Sequence, residues 1–386
     1  MSRNDQSPPY ISVQMMQLVQ NARSQGLDVI DFTVGNPDLP PPRLLLDIVR
    51  DEIFQTANHR YPTGESSGTD EFRYAVAQRY QNVYGVELDP FREVIALNGS
   101  KEGAHYLSLT NIEPGDVVIV CEPGYSTYRY SAQIANAEIY SLSLSVDNGF
   151  LPDLASIPSS VLERTKLFYV NYPSNPLGAT APFDFYERLL DLAVKYGFCV
   201  CNDLAYGEIY YGANRPLSIL NVPGAKEHAV EMNSLSKSFN VCGWRIGMLV
   251  GNAAVIAKVL AMKQNTDAGI FLPFQKAGAA ALRLPVHALD DMRNTYRLRK
   301  EALVQGLRQT SFDVYDPEAG MFVWARVPQG SEAGYICEQL LTSCGIACIP
   351  GRAYGKSGDD YVRFSLSVPL EQIHIAMQRL NNLWKG

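Results

Sequence analysis

No stretch of the 386-residue sequence approaches the roughly 20 consecutive apolar residues that a membrane-spanning helix requires, so no membrane partner is expected. An excess of basic charge is also missing. Lys and Arg total 33 against 40 Asp and Glu, giving a net charge of −7 and a pI near 5.4. A nucleic-acid partner requires a basic surface to neutralise phosphates, and that class is set aside. The seven cysteines include no Cys-x-x-Cys pair, and Cys199 and Cys201 would point to opposite faces of a strand. His59, His105, His228, His287 and His374 form no ligand-spaced pair, so no metal site is expected. The Gly-x-Gly-x-x-Gly fingerprint of a nicotinamide-dependent oxidoreductase does not follow the first strand. Internal repeats and low-complexity segments are absent. The start, Met1-Ser-Arg-Asn-Asp-Gln6, is polar and carries no cationic leader, and reduced thiols in a cytoplasm are expected.

What is present reads as a globular enzyme. Hydrophobic residues make up 46% and charged residues 19%, and the length suits two domains or one large domain with a satellite. Short apolar runs at 94–97, 117–120, 167–170, 199–202, 229–232 and 246–250 predict strands. Several are apolar throughout, as in a parallel sheet covered on both faces. Amphipathic stretches such as 100–109 and 183–196 lie between them, and the alternation predicts a doubly wound α/β domain. Residues before Pro42, with Pro8, Pro9, Pro37, Pro40 and Pro41, read as an arm and a connection. A long helical stretch over roughly 273–309 precedes strand-like segments at 321–327, 346–349 and 361–366, suggesting an α+β satellite. The expected division places the large domain at 46–283, with 1–45 and 284–386 forming the arm and small domain.

Ligands of open parallel sheets collect at the carboxyl ends of the strands, so the residues that follow each run carry the functional information. After 94–97 comes Asn98-Gly-Ser-Lys-Glu-Gly103. Gly99 permits a tight turn, and Ser100 with Lys101 would open a helix whose amides favour a phosphate; an ordinary serine-capped helix also explains it. After 117–120, Glu122-Pro-Gly-Tyr-Ser-Thr-Tyr128 puts an aromatic, Tyr125, where it would stack on a flat ring or simply pack in the turn. Asn171-Tyr-Pro-Ser-Asn-Pro-Leu-Gly178 offers Asn175 as a donor to a ligand oxygen, although turn chemistry alone would place an asparagine there. Asp203 ends a buried strand, where a carboxylate is costly unless paired; a pyridinium nitrogen would justify it, and a helix cap is the alternative. Tyr206 is placed to reach a neighbouring phenolic oxygen. Finally, 229–232 leads into Ser234-Leu-Ser-Lys237-Ser and Gly243-Trp-Arg245-Ile-Gly247. Burial would lower the pKa of Lys237 and favour the neutral amine that forms an imine. Ser234 and Arg245 supply a hydroxyl and a planar guanidinium suited to phosphate.

These motifs, in this order, resemble the class I/II aminotransferases of pyridoxal-phosphate (PLP) fold type I, from about Tyr10 to the C-terminus. The sequence is most similar to the branch with LL-diaminopimelate and alanine aminotransferases, through Pro8-Pro-Tyr10, residues 28–40, Gly99-Ser-Lys-Glu-Gly103 and residues 234–247. The resemblance implies a large domain with a mostly parallel central sheet and a smaller α+β domain. It implies PLP bound covalently to Lys237, with Asp203 on the ring nitrogen, Asn175 and Tyr206 on the phenolic oxygen and Tyr125 stacked on the ring. Gly99, Ser100, Lys101, Ser234 and Arg245 would surround the phosphate. Tyr61, in Arg60-Tyr-Pro-Thr-Gly64, would reach the phosphate of a partner subunit, which implies a homodimer with shared sites. Arg363 would grip the substrate α-carboxylate, with Gly35, Asn36 and Tyr10 at the same end. Asn175-Pro-Leu-Gly178 stands where Asn-Pro-Thr-Gly is usual, and Thr63–Gly68 and Asn202 depart from the diaminopimelate branch.

The implied reaction is a ping-pong transfer of an amino group between an L-amino acid and a 2-oxo acid, with Lys237 as general base. A PLP-dependent lyase or synthase on the same scaffold is the alternative. A non-catalytic PLP-binding regulator would need an appended DNA-binding module, for which the length leaves no room.

Overall fold

The computed structural model describes residues 11–62 and 66–383. A short strand, β1 (Ile30–Asp31), precedes the seven strands of the central sheet. These are β2 (Val94–Leu97), β3 (Val117–Glu122), β4 (Glu138–Ser143), β5 (Thr165–Val170), β6 (Cys199–Asp203), β7 (Ala229–Ser234) and β8 (Gly247–Gly251). Their spatial order is β2-β8-β7-β6-β5-β3-β4, and only β8 runs antiparallel to its neighbours. The mostly parallel α/β sheet expected from the sequence is therefore present.

Alternate side chains of one strand enter opposite cores, as the two-residue period requires. Val94, Ile119, Phe168, Val200 and Met248 join one cluster, with Phe72 and Phe185 from the covering helices. Ile95, Val118, Leu167, Cys201 and Leu249 join the other, with Leu107 and Ile256. The helices are closed by local chemistry. Thr69 accepts from the Phe72 amide at the start of Asp70–Tyr84, and left-handed Gly85 ends it. Helix Phe183–Tyr196 ends the same way at Gly197.

Five more strands follow: β9 (Asp313–Val314), β10 (Phe322–Arg326), β11 (Ile346–Ala347), β12 (Ile349–Pro350) and β13 (Tyr361–Ser365). The order β12-β13-β10-β9 forms an antiparallel sheet, and β11 pairs in parallel with β1.

Four details differ from the sequence-based expectation. The stretch over 273–309 is two helices, Leu272–Arg283 and Asp290–Arg308, because the residue before Pro285 is forced into extended conformation. The apolar run at 346–349 splits between two sheets as β11 and β12. β4 escaped notice because an edge strand exposes one face and lacks the apolar run of its buried neighbours. The residues before Pro42 do more than connect, since Ile11–Ser24 is a helix and β1 forms a two-stranded sheet with β11.

Candidate active site

Strand polarity explains how distant segments meet. β2, β3, β5, β6 and β7 end at one sheet edge, and β8, running the other way, starts there. Arg245, two residues before β8, therefore joins the residues that follow the other strands. They enclose a cavity of about 280 Å³ whose lining includes Ser100, Lys101, Tyr125, Asn175, Asp203, Tyr206, Ser234, Lys237, Arg245 and Arg363.

One corner is built for an anion. Gly99 has φ +83°, and a Cβ there would lie 2.0 Å from Arg245 Nη2, so the backbone and guanidinium come together only at a glycine. Arg245 is itself left-handed at φ +56°, with Nη1 donating to the Cys242 carbonyl at 3.0 Å. Gly247 lets β8 approach the Ser100 amide, which would be 2.6 Å from an added Cβ. Ser234 accepts from the Ser236 amide and donates to the Ile246 carbonyl, both at 3.1 Å. The first-turn amides of helix Ser100–Asn111 face the same corner, which is also that helix's positive end.

Asp203 sits at the centre. Its Oδ2 accepts from the Tyr128 hydroxyl at 2.8 Å and its Oδ1 from the Ala205 amide at 3.1 Å. Burial pushes the carboxyl up to about 6, and the bonds from Tyr128 and Ala205 pull it back only in part. Tyr125 packs edge-on to Tyr128 with ring centres 5.7 Å apart, and Lys101 Nζ lies 5.9 Å from its ring centre. Tyr206 lies beside Phe322, and burial raises its hydroxyl far above the ordinary tyrosine range, with Arg363 opposing. Asn171 ties the turn to the strand: Nδ2 donates to the Asp203 carbonyl at 2.7 Å, and Oδ1 accepts from the Asn175 amide at 2.8 Å.

Lys237 follows β7 in the short helix Leu235–Ser238, and its amine donates to the Gly35 carbonyl at 2.6 Å. Desolvation by the cavity walls lowers its pKa to about 8; Arg245 and Arg363 add to this, while Cys242 opposes it. Arg363 projects from β13, donating from Nη1 to Asn175 Oδ1 at 3.1 Å and from Nη2 to the Thr33 carbonyl at 2.7 Å. Its guanidinium lies 4.1 Å from the centre of the Phe322 ring and 5.0 Å from that of Tyr354. Among the described residues Nε is buried without a hydrogen bond, and the Asn175 side chain and Thr33 carbonyl that the other nitrogens meet are neutral, so the site is set for an anion. Gly35 fits flat against Phe322, where a Cβ would clash at 2.6 Å.

Most residues singled out in the sequence converge here. Asn36 stands on the rim, its Oδ1 accepting from the Cys242 thiol at 2.8 Å. Tyr61 is 81% exposed and borders a surface cleft with Gln264 and Asp267, away from the cavity of its own chain. Tyr10 lies outside the described residues. Tyr128, Asn171, Thr33 and Cys242 also line or brace the site, unassigned by the sequence reading. Tyr128 was within reach of pattern reasoning, because it lies three residues after Tyr125 and so one helical turn on. Cys242 carried no such signal.

The chain matches the family described as aminotransferase class I and II over residues 27–380. It is 41% identical over 376 residues to an LL-diaminopimelate aminotransferase of Moorella thermoacetica, covering 97% of this chain and 96% of that protein. The substrate-bound structure of BacF from Bacillus subtilis superposes with a TM-score of 0.94 at 29% identity, covering 99% of this chain and 98% of that one. A probable N-succinyldiaminopimelate aminotransferase of Thermus thermophilus gives a TM-score of 0.91 at 31% identity, covering 96% and 99%.

Proposed function

Because the chain belongs to the class I and II aminotransferase family, we propose that Lys237, Asp203 and Arg363 are its proton carrier, ring anchor and carboxylate clamp. The protein is a transaminase whose cofactor is pyridoxal phosphate, and its relatives lend nothing to the lyase or synthase alternative. The observation that carries the assignment of roles is the meeting in one cavity of a desolvated lysine, a buried carboxylate and an arginine with no anionic partner among the described residues.

The residues present fit this cofactor. The cradle that only glycine permits at Gly99, with Arg245, Ser100, Lys101 and Ser234, suits its phosphate. The Asp203 carboxylate, buried with two neutral donors, suits a protonated ring nitrogen, and Tyr125, Asn175 and Tyr206, in the same cavity wall, would hold the ring. When bound, the cofactor supplies the electron sink that makes the substrate α-carbon acidic. The chain does the rest. Lys237, its pKa lowered to about 8 by desolvation and so poised to exchange a proton, would take the α-proton and return it one position away. Arg363 would orient the substrate by its carboxylate and so fix which bond is presented to the cofactor. Tyr206 and Asn175 would hold the phenolic oxygen, and Thr33–Asn36 would close the substrate end.

For the substrate, the relatives support an LL-diaminopimelate-type amino donor with a 2-oxo acid acceptor, and an alanine-type donor is the alternative that the sequence resemblance offers. The exposed Tyr61 supports a homodimer in which it reaches the partner's phosphate site. A division into 46–283 and the remaining segments is supported by the placement of β1 and β9–β13 in the small sheets. Free thiols at all seven cysteines favour a cytoplasmic setting, and no helix among the described residues is long and apolar enough to cross a membrane.

The roles are tested by incubating the apoprotein with pyridoxal phosphate, recording the near-visible absorbance, then adding amino acids one at a time. The expected band requires Lys237, is converted by LL-diaminopimelate or alanine, and is converted only at far higher amino acid concentration in Arg363→Lys. A band that persists in Lys237→Ala contradicts the assignment of the lysine. Size-exclusion chromatography with light scattering tests the dimer.

A further inference from the structure

A second buried carboxylate lies behind the first. Glu231, on β7, sits opposite Asn202 of β6, and Asp203 is opposite Met232. Strand alternation turns Asp203 toward the cavity and Glu231 with Asn202 toward the helices beneath the sheet. Glu231 is fully buried, and its four partners among the described residues are all uncharged donors. Oε1 accepts from Tyr80 at 2.9 Å and Ser218 at 2.8 Å; Oε2 accepts from Asn202 Nδ2 at 2.9 Å and the Ile219 amide at 3.1 Å. A carboxylate buried without a cation costs stability, and a hydrophobic residue of similar size would avoid that cost. Its partners indicate what the carboxylate does there.

Two chains of hydrogen bonds lead from Glu231 to the cavity. The first passes through Asn202, whose Nδ2 donates to Glu231 and whose Oδ1 accepts from the Tyr172 amide at 3.2 Å. The β5–β6 ladder stops at Val170 and Asn202, so this side chain takes up a buried amide that no strand reaches. Tyr172 opens the turn that carries Asn175, and the residue after Asn202 is Asp203. The second passes through Tyr80, whose hydroxyl donates to Glu231 and accepts from Asn233 Nδ2 at 3.4 Å. Asn233 Oδ1 in turn accepts from the Ser234 amide at 2.7 Å. One arm ends at the ring ligands, the other at the phosphate ligand.

We propose that Glu231 is a positioning residue: from beneath the sheet it fixes Asn202 and Tyr80, and through them holds Asp203, the Asn175 turn and Ser234 in register for the cofactor. The proposal rests on the assignment of those three residues as cofactor ligands. The Asn202 side chain and the Ile219 amide require an acceptor at position 231, and glutamine supplies one. Its oxygen can face Asn202 and Ile219, while its NH₂ faces the Tyr80 and Ser218 hydroxyls, which rotate to accept.

The test measures affinity of the apoprotein for pyridoxal phosphate and for pyridoxal, which lacks the phosphate, by tryptophan fluorescence quenching. Melting temperatures and the pH midpoint of the near-visible band are recorded alongside. Glu231→Leu is expected to weaken both ligands by about tenfold, roughly the loss of one to two hydrogen bonds, and to shift the band midpoint. Glu231→Gln is expected to restore both affinities and the midpoint. Should Glu231→Leu not fold, the single-arm variants decide. Asn202→Ala is expected to weaken both ligands, and Tyr80→Phe pyridoxal phosphate but not pyridoxal. Variants that melt lower yet keep wild-type affinities and midpoint overturn the proposal and leave the ligand assignment standing. Wild-type protein that takes up no pyridoxal phosphate overturns the ligand assignment and this inference with it.

Discussion

The two sides of the central sheet treat a buried carboxylate differently. On the cavity side Asp203 has two hydrogen-bond donors; on the underside Glu231 has four. Burial raises both, Asp203 to about 6 and Glu231 to about 7. The difference lies in what is left over. Glu231 has its acceptor sites filled from its own fold, whereas Asp203 opens onto a cavity, where the proposed assignment gives it a cationic ring nitrogen as a further partner. An under-satisfied carboxylate facing a cavity marks chemistry; a satisfied one behind it marks support.

The largest effect expected is on the cavity side but off the carboxylate. Lys237→Ala should lower transamination by about 100- to 10,000-fold or more, the range for loss of a general acid–base group, and remove the near-visible band while leaving the fold intact by circular dichroism. Next, Asp203→Asn should cut kcat by about 100-fold or more on the same scale. Its apoprotein should melt no lower than wild type, since a poorly satisfied charge is gone. Glu231→Gln should change neither kcat nor melting appreciably. Equal losses in Asp203→Asn and Glu231→Gln would erase the contrast. Arg363→Lys should raise KM for amino acids by on the order of 100-fold, through loss of the two-pronged grip and its stacking between Phe322 and Tyr354. Its affinity for pyridoxal phosphate should hold.

Smaller effects sharpen the picture. Tyr128→Phe removes one of the two donors to Asp203, so its carboxyl rises further above 6. The pH below which cofactor affinity falls should move up, with a loss of about tenfold near neutrality. The smallest effect concerns the apoprotein alone. Both carboxyls bind protons more tightly folded than unfolded, where they titrate near 3.8 and 4.5. Stability should therefore increase as pH falls from about 7 toward 5. Lys237, lowered to about 8, is protonated throughout that window and adds little slope. Urea denaturation at several pH values measures the trend, and Asp203→Asn should flatten it.

The cavity face was largely legible in the sequence because most of its lining residues come directly after an apolar strand that is plain to read. Lys237, Asp203, Asn175 and Arg245 were found by asking what each strand delivers at its end. The underside was not legible. Glu231 and Asn202 sit inside strands whose apolar neighbours read simply as core, and their bonds to Tyr80 and Tyr172 join residues 151 and 30 positions away. The edge strand β4 was missed for the opposite reason, since exposure dilutes its apolar signal. Pro285 marks the break between Leu272–Arg283 and Asp290–Arg308, but helical periodicity on both sides masks it. Tyr61 is exposed and lies away from the cavity of its own chain, which leaves its reach to a partner's phosphate a proposal.

The most direct test is the absorbance spectrum of the protein loaded with pyridoxal phosphate, before and after adding LL-diaminopimelate, alanine and other amino acids. The account predicts a near-visible band, absent in Lys237→Ala, that specific amino acids convert to the shorter-wavelength absorption of the aminated cofactor with release of a 2-oxo acid. A band that every amino acid leaves unchanged, or that yields ammonia in place of an aminated cofactor, would contradict it.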